Sequence, residues 1–203
     1  MHVGIFGTGL TDSSEKFLKK ILDEKSENGT QFLSGVCFDW ENEAISATKL
    51  GIDVSIVNNR RVPKEAIDAR TKNFNWMDLN KGLFEAFKDG SDSAVLCTPD
   101  GYLSEGPGFN IWIVKDGIAI TPIPNGSFLN GITRQRLIAL MRTDGITVIE
   151  RTIKPEELET ADEIFSTGNY GKVQPVNRYE NRKIQPGNIY KRTRELYWAF
   201  AHS

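Results

Sequence analysis

Short apolar runs separated by turn sequences fill the centre of this chain, and they constrain its fold more than any other feature. Ser93–Cys97 is followed by the turn Pro99-Asp100-Gly101. Phe109–Val114 is joined to Ile118–Thr121 by the turn Lys115-Asp116-Gly117. Apolar runs of this length joined by Asp-Gly turns are typical of neighbouring antiparallel strands. The pattern therefore predicts a local antiparallel sheet.

Helical periodicity flanks this sheet on both sides. Apolar residues at helical spacing predict helices from Asn75 to Lys88, from Gly131 to about Thr143 and from Thr193 to Ala201. Ile146–Ile153 and Glu163–Thr167 are predicted as further strands. The pattern from residue 52 onwards is thus that of an α+β fold, with strands and helices in separate runs.

The first 51 residues follow a different pattern, strand, helix, strand, helix, and we expect them to form a separate short α/β segment. Gly7-Thr8-Gly9 lies between the first predicted strand and helix, and Asp39 ends the second strand. This order resembles the opening of a dinucleotide-binding domain. The third glycine of that fingerprint would fall at Asp12, whose charge would face the pyrophosphate. We interpret residues 1–51 as a Rossmann-like fragment and residues 52–203 as the second domain.

Charge and composition narrow the classes of function. The chain of 203 residues carries 25 Lys and Arg against 27 Asp and Glu, and a net charge of -2 argues against nucleic acid as a partner. Its apolar runs are far shorter than a membrane helix needs, so we expect no membrane contact and a cytoplasmic location. Cys37 and Cys97 lie in apolar runs and are predicted to be buried, reduced thiols. With its two histidines, His2 and His202, at the chain ends, we expect no metal site.

Three short segments occur in a fixed order after residue 70. They are Thr71-Lys72-Asn73-Phe74-Asn75-Trp76, Ser104-Glu105-Gly106-Pro107-Gly108-Phe109-Asn110 and Asn130-Gly131-Ile132-Thr133-Arg134. Together, with Glu105 33 positions after Lys72, they resemble the fold-type IV pyridoxal-phosphate enzymes. Within that class the chain looks most like branched-chain amino acid aminotransferases and R-selective amine transaminases, with an atypical, shortened N-terminus.

The resemblance implies a fold and a first set of roles. The fold is the C-terminal domain of the D-amino-acid aminotransferase-like fold, a mixed sheet or pseudo-barrel with helices, here preceded by the short βαβα segment. Lys72 matches the lysine that holds pyridoxal 5'-phosphate as a Schiff base and moves a proton at the substrate's α-carbon. Glu105 matches the carboxylate that faces the pyridine nitrogen and favours its protonated form.

The remaining implied roles concern the phosphate and the face of the ring. Ile132 and Thr133 match the helix start whose backbone amides bind the phosphate. Asn169 stands where the family usually has a threonine that donates to the phosphate, and an asparagine amide is also a donor. Trp76 falls near the position of a residue that packs beside the cofactor ring.

These observations support one leading function and two alternatives. The leading hypothesis is a pyridoxal-phosphate-dependent aminotransferase that exchanges an amino group between a branched-chain amino acid, or an amine, and a 2-oxo acid, as a homodimer. The first alternative is a non-catalytic or impaired remnant, because the family's N-terminal domain and its phosphate-binding arginine have no counterpart in residues 1–51. The second is a nicotinamide-binding oxidoreductase fragment that uses Gly7, Gly9 and Asp39.

Overall fold

The computed structural model of this protein describes residues 51–203. These residues form nine strands and four helices. The strands are β1 (Ile52–Arg60), β2 (Ser93–Cys97), β3 (Glu105–Gly106), β4 (Phe109–Lys115), β5 (Ile118–Pro122), β6 (Val148–Arg151), β7 (Glu163–Gly168), β8 (Lys172–Tyr179) and β9 (Arg182–Lys183). The helices are α1 (Met77–Lys88), α2 (Ile132–Thr143), α3 (Glu157–Thr160) and α4 (Asn188–Ala201). The predictions for the βαβα segment, including those for His2, Gly7, Gly9, Asp12, Cys37 and Asp39, lie outside the described residues.

The strands form one mixed sheet in the order β2-β1-β8-β7-β4-β5-β6. β4 pairs antiparallel with both β5 and β7, and β7 pairs antiparallel with β8. β1 runs parallel to β2 and β8, and β5 runs parallel to β6. The two short strands lie off this path, β3 against β4 and β9 against β8. The predicted hairpin of β4 and β5 is present, within a mixed sheet as expected.

Alternation along the central strand β4 places its side chains in two different hydrophobic clusters. Ile111 and Ile113 belong to the cluster on one face of the sheet, whereas Trp112 and Val114 belong to the cluster on the other. Successive side chains of a strand point to opposite faces, so a strand covered on both sides is apolar throughout. The Trp112 ring stacks on that of Phe165 with 5.5 Å between the ring centroids. The strand is therefore fixed from both sides.

The C-terminal helix is longer than the sequence predicted. It begins at Asn188 and not at Thr193. The Glu163 carboxylate, on β7, accepts hydrogen bonds from the backbone N–H groups of Ile189 (3.1 Å) and Tyr190 (2.7 Å). These bonds satisfy first-turn amides that have no partner within the helix. The cap comes from a distant strand, so the local sequence does not reveal it.

The other helices and strands differ from their predicted bounds by smaller amounts. The helix predicted from Asn75 begins at Met77, and the strand predicted over Ile146–Ile153 is confined to Val148–Arg151. β8 was not predicted. Arg194 of α4 is buried and donates to the carbonyl of Val173, on β8, over 3.0 Å.

Cys97 lies at the end of β2 with its side chain fully buried and unpaired with another cysteine. Burial raises the pKa of its thiol, since the charged thiolate loses its hydration there. None of the helices within residues 51–203 combines the length and apolar composition needed to cross a membrane. The same residues hold no group of three or more His, Cys, Asp or Glu side chains placed to ligate a metal.

Candidate functional site

A cavity of about 440 Å³ lies where the segment before α1, the strands β3 and β4, the start of α2 and the end of β7 meet. The six site residues predicted from the sequence all line it: Lys72, Trp76, Glu105, Ile132, Thr133 and Asn169. They come from four separate parts of the chain. The fold therefore brings the predicted residues together, while their individual roles remain predictions.

Lys72 lies in a short segment that is braced by its own side chains. The Asn73 amide donates to the carbonyl of Thr71 (2.9 Å) and accepts from the backbone N–H of Asn75 (2.9 Å). The indole N–H of Trp76 donates to the carbonyl of Asn73 over 3.0 Å. Side-chain to backbone bonds of this kind fix a turn without a helix or strand. They hold Lys72 and the Trp76 ring at the cavity wall.

Glu105 is buried, and it faces Asn110 across the β3–β4 pairing. One carboxylate oxygen lies 3.1 Å from Nη2 of Arg61, and the other accepts a long hydrogen bond of 3.4 Å from the backbone N–H of Leu129. Burial raises the pKa of Glu105 to about 7, although Arg61, the Leu129 amide and Lys72 each act to lower it. A further positive charge close to Glu105 would therefore favour its ionised form.

Two further residues of this site, Arg61 and Asp78, were not predicted from the sequence. Arg61 is buried directly after β1, and its Nη1 lies 2.6 Å from Oδ2 of Asp78 in the first turn of α1. Its Nε donates to the carbonyl of Ser127 over 3.1 Å. The sequence signal is an arginine pair that ends an apolar strand, followed by an acid early in the next helix. A charged residue is usually solvated, so this signal alone does not indicate burial.

The start of α2 is exposed to the cavity with its first amides uncapped by any described side chain. Gly131 holds the N-cap position, and an added Cβ there would come within 2.5 Å of Oδ1 of Asn110. That same oxygen accepts from the Gly131 N–H (3.2 Å), while the Asn110 amide donates to the carbonyl of Leu129 (2.8 Å). Asn110 thus fixes the entry into the helix, and the free amides and helix dipole favour an anion at Ile132 and Thr133.

Arg134 anchors the same helix to the sheet. Its side chain is almost fully buried, and Nη2 donates to the carbonyl of Pro122 (2.8 Å) and to the Glu150 carboxylate (2.9 Å). Nη1 donates to the side-chain oxygen of Asn130 over 2.8 Å. A guanidinium with these partners is satisfied despite its burial. The position of the α2 start is therefore tied to β5 and β6.

Asn169 directly follows β7 and lines the same cavity. The chain can pass there because Gly168 lies against the backbone of Gly108, where a Cβ would come within 2.4 Å of the carbonyl oxygen. Nζ of Lys172 donates to Oδ1 of Asn169 over 3.3 Å. Because an ammonium group only donates, it selects the amide oxygen and leaves the amide nitrogen of Asn169 as a donor. Asn169 thus offers an amide donor to the cavity that the start of α2 also lines.

The arrangement has the chemistry of a site for an anionic aldehyde with a basic ring. It offers an amine at Lys72, a buried carboxylate at Glu105 and an anion-favouring helix start in one cavity. A phosphate suits the helix start, and a ring nitrogen that gains a proton suits the carboxylate.

The family model described as amino-transferase class IV matches residues 15–179. The chain belongs to the amino-transferase class IV family. A probable branched-chain-amino-acid aminotransferase of Aquifex aeolicus is 40% identical to it over 151 residues, which cover 73% of this chain and 49% of that protein. The branched-chain-amino-acid aminotransferase of Escherichia coli K12 is 32% identical over 155 residues, which cover 76% of this chain and 50% of that protein.

Solved structures agree with this class IV assignment. An aminotransferase from Brucella abortus bound to the co-factor PLP has a TM-score of 0.74 and 39% identity, covering 76% of this chain and 56% of that one. A branched-chain aminotransferase from Thermoproteus uzoniensis with norvaline has a TM-score of 0.71 and 31% identity, covering 74% and 51%. The predicted fold and family resemblance are confirmed. This class IV chain spans about half the length of the curated relatives it matches.

Proposed function

We propose that this class IV chain binds pyridoxal 5'-phosphate in its cavity and acts in transamination between a branched-chain amino acid and a 2-oxo acid. The observation that carries the proposal is the convergence of Lys72, Glu105, Asn169 and the start of α2 around a cavity of about 440 Å³. Bound pyridoxal phosphate would supply an electron sink for the bonds at the substrate's α-carbon.

The described residues fit that cofactor at both of its ends. The amides at Ile132 and Thr133, with the Asn169 amide, would hold the phosphate by charge-assisted hydrogen bonds. Glu105 would face the ring nitrogen, whose proton brings a positive charge that favours the ionised carboxylate. Trp76 would offer a flat apolar surface beside the ring.

Lys72 would act at the reacting end. Its amine would attach the cofactor through the aldehyde carbon, and after exchange with the amino group of the substrate it would take and return the α-proton. The bracing by Asn73 limits the freedom of the backbone at Lys72. Such a constraint lowers the cost of ordering this segment of backbone at each turnover.

The substrate and partner proposals are supported by the relatives and by exposed apolar groups. The relatives named as branched-chain enzymes favour an apolar amino acid as donor, although an amine stays open as a substrate. Phe74, Met77 and Ile132 are large apolar side chains left exposed near the cavity. Apolar surface of this kind is typical of interfaces, so we propose a homodimer. The cytoplasmic location remains a prediction.

Neither alternative from the sequence gains support from a contact among residues 51–203. The nicotinamide hypothesis rests on Gly7, Gly9 and Asp39, which lie outside the described residues. The hypothesis of a non-catalytic remnant differs from the leading one in activity alone, so an assay separates the two.

Turnover by the full chain tests the proposal. With pyridoxal phosphate, leucine and 2-oxoglutarate, we expect glutamate to form, and Lys72→Ala should abolish it. Lys81→Ala is the matched control, because Lys81 is an exposed lysine on α1. Glutamate formation that survives in Lys72→Ala would contradict the role of Lys72. Absence of turnover with leucine, isoleucine, valine and amines would favour the remnant.

A further inference from the structure

Three buried charges form a line from the first turn of α1 to the cavity. Arg61 reaches Asp78 with Nη1 (2.6 Å) and Glu105 with Nη2 (3.1 Å). All three side chains are at most 10% exposed. One guanidinium therefore serves two carboxylates, and only the Glu105 carboxylate lines the cavity.

The Asp78 carboxylate is held in place by backbone hydrogen bonds in addition to its contact with Arg61. Its Oδ2 accepts from the backbone N–H of Val62 (2.9 Å), and its Oδ1 accepts from the N–H of Leu79 (2.8 Å). Both oxygens are thus occupied by donors, which hold the carboxylate in one orientation. The guanidinium is planar and presents its donors in a rigid fork, so fixing one edge on Asp78 also fixes the direction of the other.

We propose that Asp78 is a positioning residue that acts through Arg61, aiming the guanidinium at Glu105 and limiting how strongly its charge is felt there. The proposal rests on the proposed function, in which Glu105 faces the cofactor ring. Asp78 does not belong to the sequence motifs of the site, and it does not line the cavity.

Each charged group that faces Glu105 either lowers or raises its pKa. Arg61 and Lys72, together with the Leu129 amide, lower the pKa of Glu105, whereas Asp78 raises it. Asn110 lies across from Glu105 on β4 and is neutral. Removing the charge of Asp78 should therefore lower the pKa of Glu105, and removing that of Arg61 should raise it. The shifts are opposite although both changes remove the same ion pair.

The test is the titration of Glu105 in the full chain without cofactor. Protein labelled with carboxyl-¹³C glutamate is followed by NMR, and the Glu105 signal is assigned by its loss in Glu105→Gln. Asp78→Asn keeps a side-chain oxygen that accepts from Arg61, so the guanidinium stays aimed while the negative charge is lost. The titration midpoint of Glu105 should then fall by about one pH unit, whereas Arg61→Gln should raise it by about as much or more. The double variant Arg61→Gln/Asp78→Asn should have a midpoint above that of Asp78→Asn.

The double variant keeps the test decisive if Arg61→Gln alone fails to fold, because it leaves no second buried carboxylate unpaired. Asp68→Asn is the matched control, since Asp68 is exposed in the same segment, and it should leave the midpoint unchanged. A midpoint that rises or stays fixed in Asp78→Asn would overturn the proposal, as would a double variant at or below Asp78→Asn.

The Glu105 titration and the binding of pyridoxal phosphate can fail independently of each other. If the wild-type protein fails to bind pyridoxal phosphate, the function is wrong, while the titration still reports whether Asp78 acts on Glu105. If binding succeeds and the opposite shifts are missing, Arg61 and Asp78 serve only to join β1 to α1. A purely structural role would lower the unfolding midpoint in both variants without opposite shifts in the titration midpoint of Glu105.

Discussion

Glu105 is the residue at which burial and charge bear most directly on the proposed chemistry. Its carboxyl group is buried and its pKa is raised from 4.5 to about 7, mainly because the ionised form loses its hydration. Arg61 offsets part of that cost. A bound cofactor ring that carries a proton would offset more, so binding and ionisation of Glu105 should be coupled.

The raised pKa of Glu105 predicts a pH dependence of stability for the cofactor-free protein. The folded state binds this proton more tightly than the unfolded state, so the Glu105 contribution is fully present below about pH 4.5 and is lost as pH rises to about 7. The loss should be on the order of 3 kcal/mol. Glu105→Gln should remove this dependence, measured by urea unfolding at about pH 5 and pH 8. An equal pH dependence in both proteins would show that Glu105 ionises without such a cost.

Asn169 provides a second prediction at this scale. Asn169→Asp would replace a donor with a negative charge beside the phosphate site, and it should weaken pyridoxal phosphate binding about tenfold or more. Asn169→Thr retains a donor and should stay within a few-fold of the wild type. Fluorescence titration with pyridoxal, which lacks the phosphate, is the control. Equal weakening for pyridoxal and pyridoxal phosphate would place Asn169 away from the phosphate.

Single residues differ in how far their sequence context identifies them. Lys72 and Glu105 were found because they stand in ordered motifs that resemble a family. Arg61 and Asp78 carry no such mark, and their burial follows from packing of the β1 end against the first turn of α1. Local patterns assign charged residues to solvent. Tertiary packing decides the exceptions.

The start of α2 is the element on which the phosphate side of the cavity depends. Its first amides are oriented by the loop at Leu129 and Gly131, and this loop is held by the buried side chain of Asn110. A site built from backbone amides is only as well placed as the element that carries them. The side chain of Asn110 would therefore support the proposed phosphate site without needing to touch the phosphate.

Asn110→Ala should loosen this helix start. The change leaves a partly buried N–H and a partly buried carbonyl without their partner, which should lower the free energy of unfolding by about 1 kcal/mol or more. Pyridoxal phosphate should also bind more weakly, whereas Asn181→Ala, at an exposed asparagine, should change neither. Denaturant unfolding and a fluorescence titration measure the two effects. Weaker stability with unchanged affinity would separate the helix start from the site.

Elements with strong local patterns were predicted, and those held by distant contacts were not. β4 and β5 were found from an apolar run and an Asp-Gly turn. β8 was missed because it contains Pro175 and several polar residues, a composition that argues against a central strand. It pairs with β1 and β7 nonetheless. The predicted start of α4 was wrong because its cap is supplied by Glu163, a residue of the distant strand β7.

At the scale of the whole described sheet, β8 joins the parallel strands β1 and β2 to the antiparallel strands β7 and β4. The cavity draws on both sides of this junction, since Arg61 follows β1 and Asn169 follows β7. No local fragment contains the complete site. Ligand binding should therefore report on the folding of the described sheet as a unit.

Pyridoxal phosphate should stabilise the protein as a whole. A ligand that binds only the folded state at 100 times its dissociation constant raises the free energy of unfolding by about 2.7 kcal/mol. Circular dichroism and tryptophan fluorescence should show the same rise in the unfolding midpoint, and Lys72→Ala should reduce it. An unchanged midpoint in the wild type at saturating cofactor would contradict a cofactor site in this fold.

The attachment of pyridoxal phosphate to Lys72 is the central claim, and one measurement tests it most directly. The full chain is incubated with pyridoxal phosphate, reduced with borohydride, digested and analysed by mass spectrometry. We predict a single reduced adduct on the peptide that carries Lys72, with none at the exposed control Lys81. A wild-type protein without that adduct, or with adducts spread equally over its surface lysines, would contradict the account.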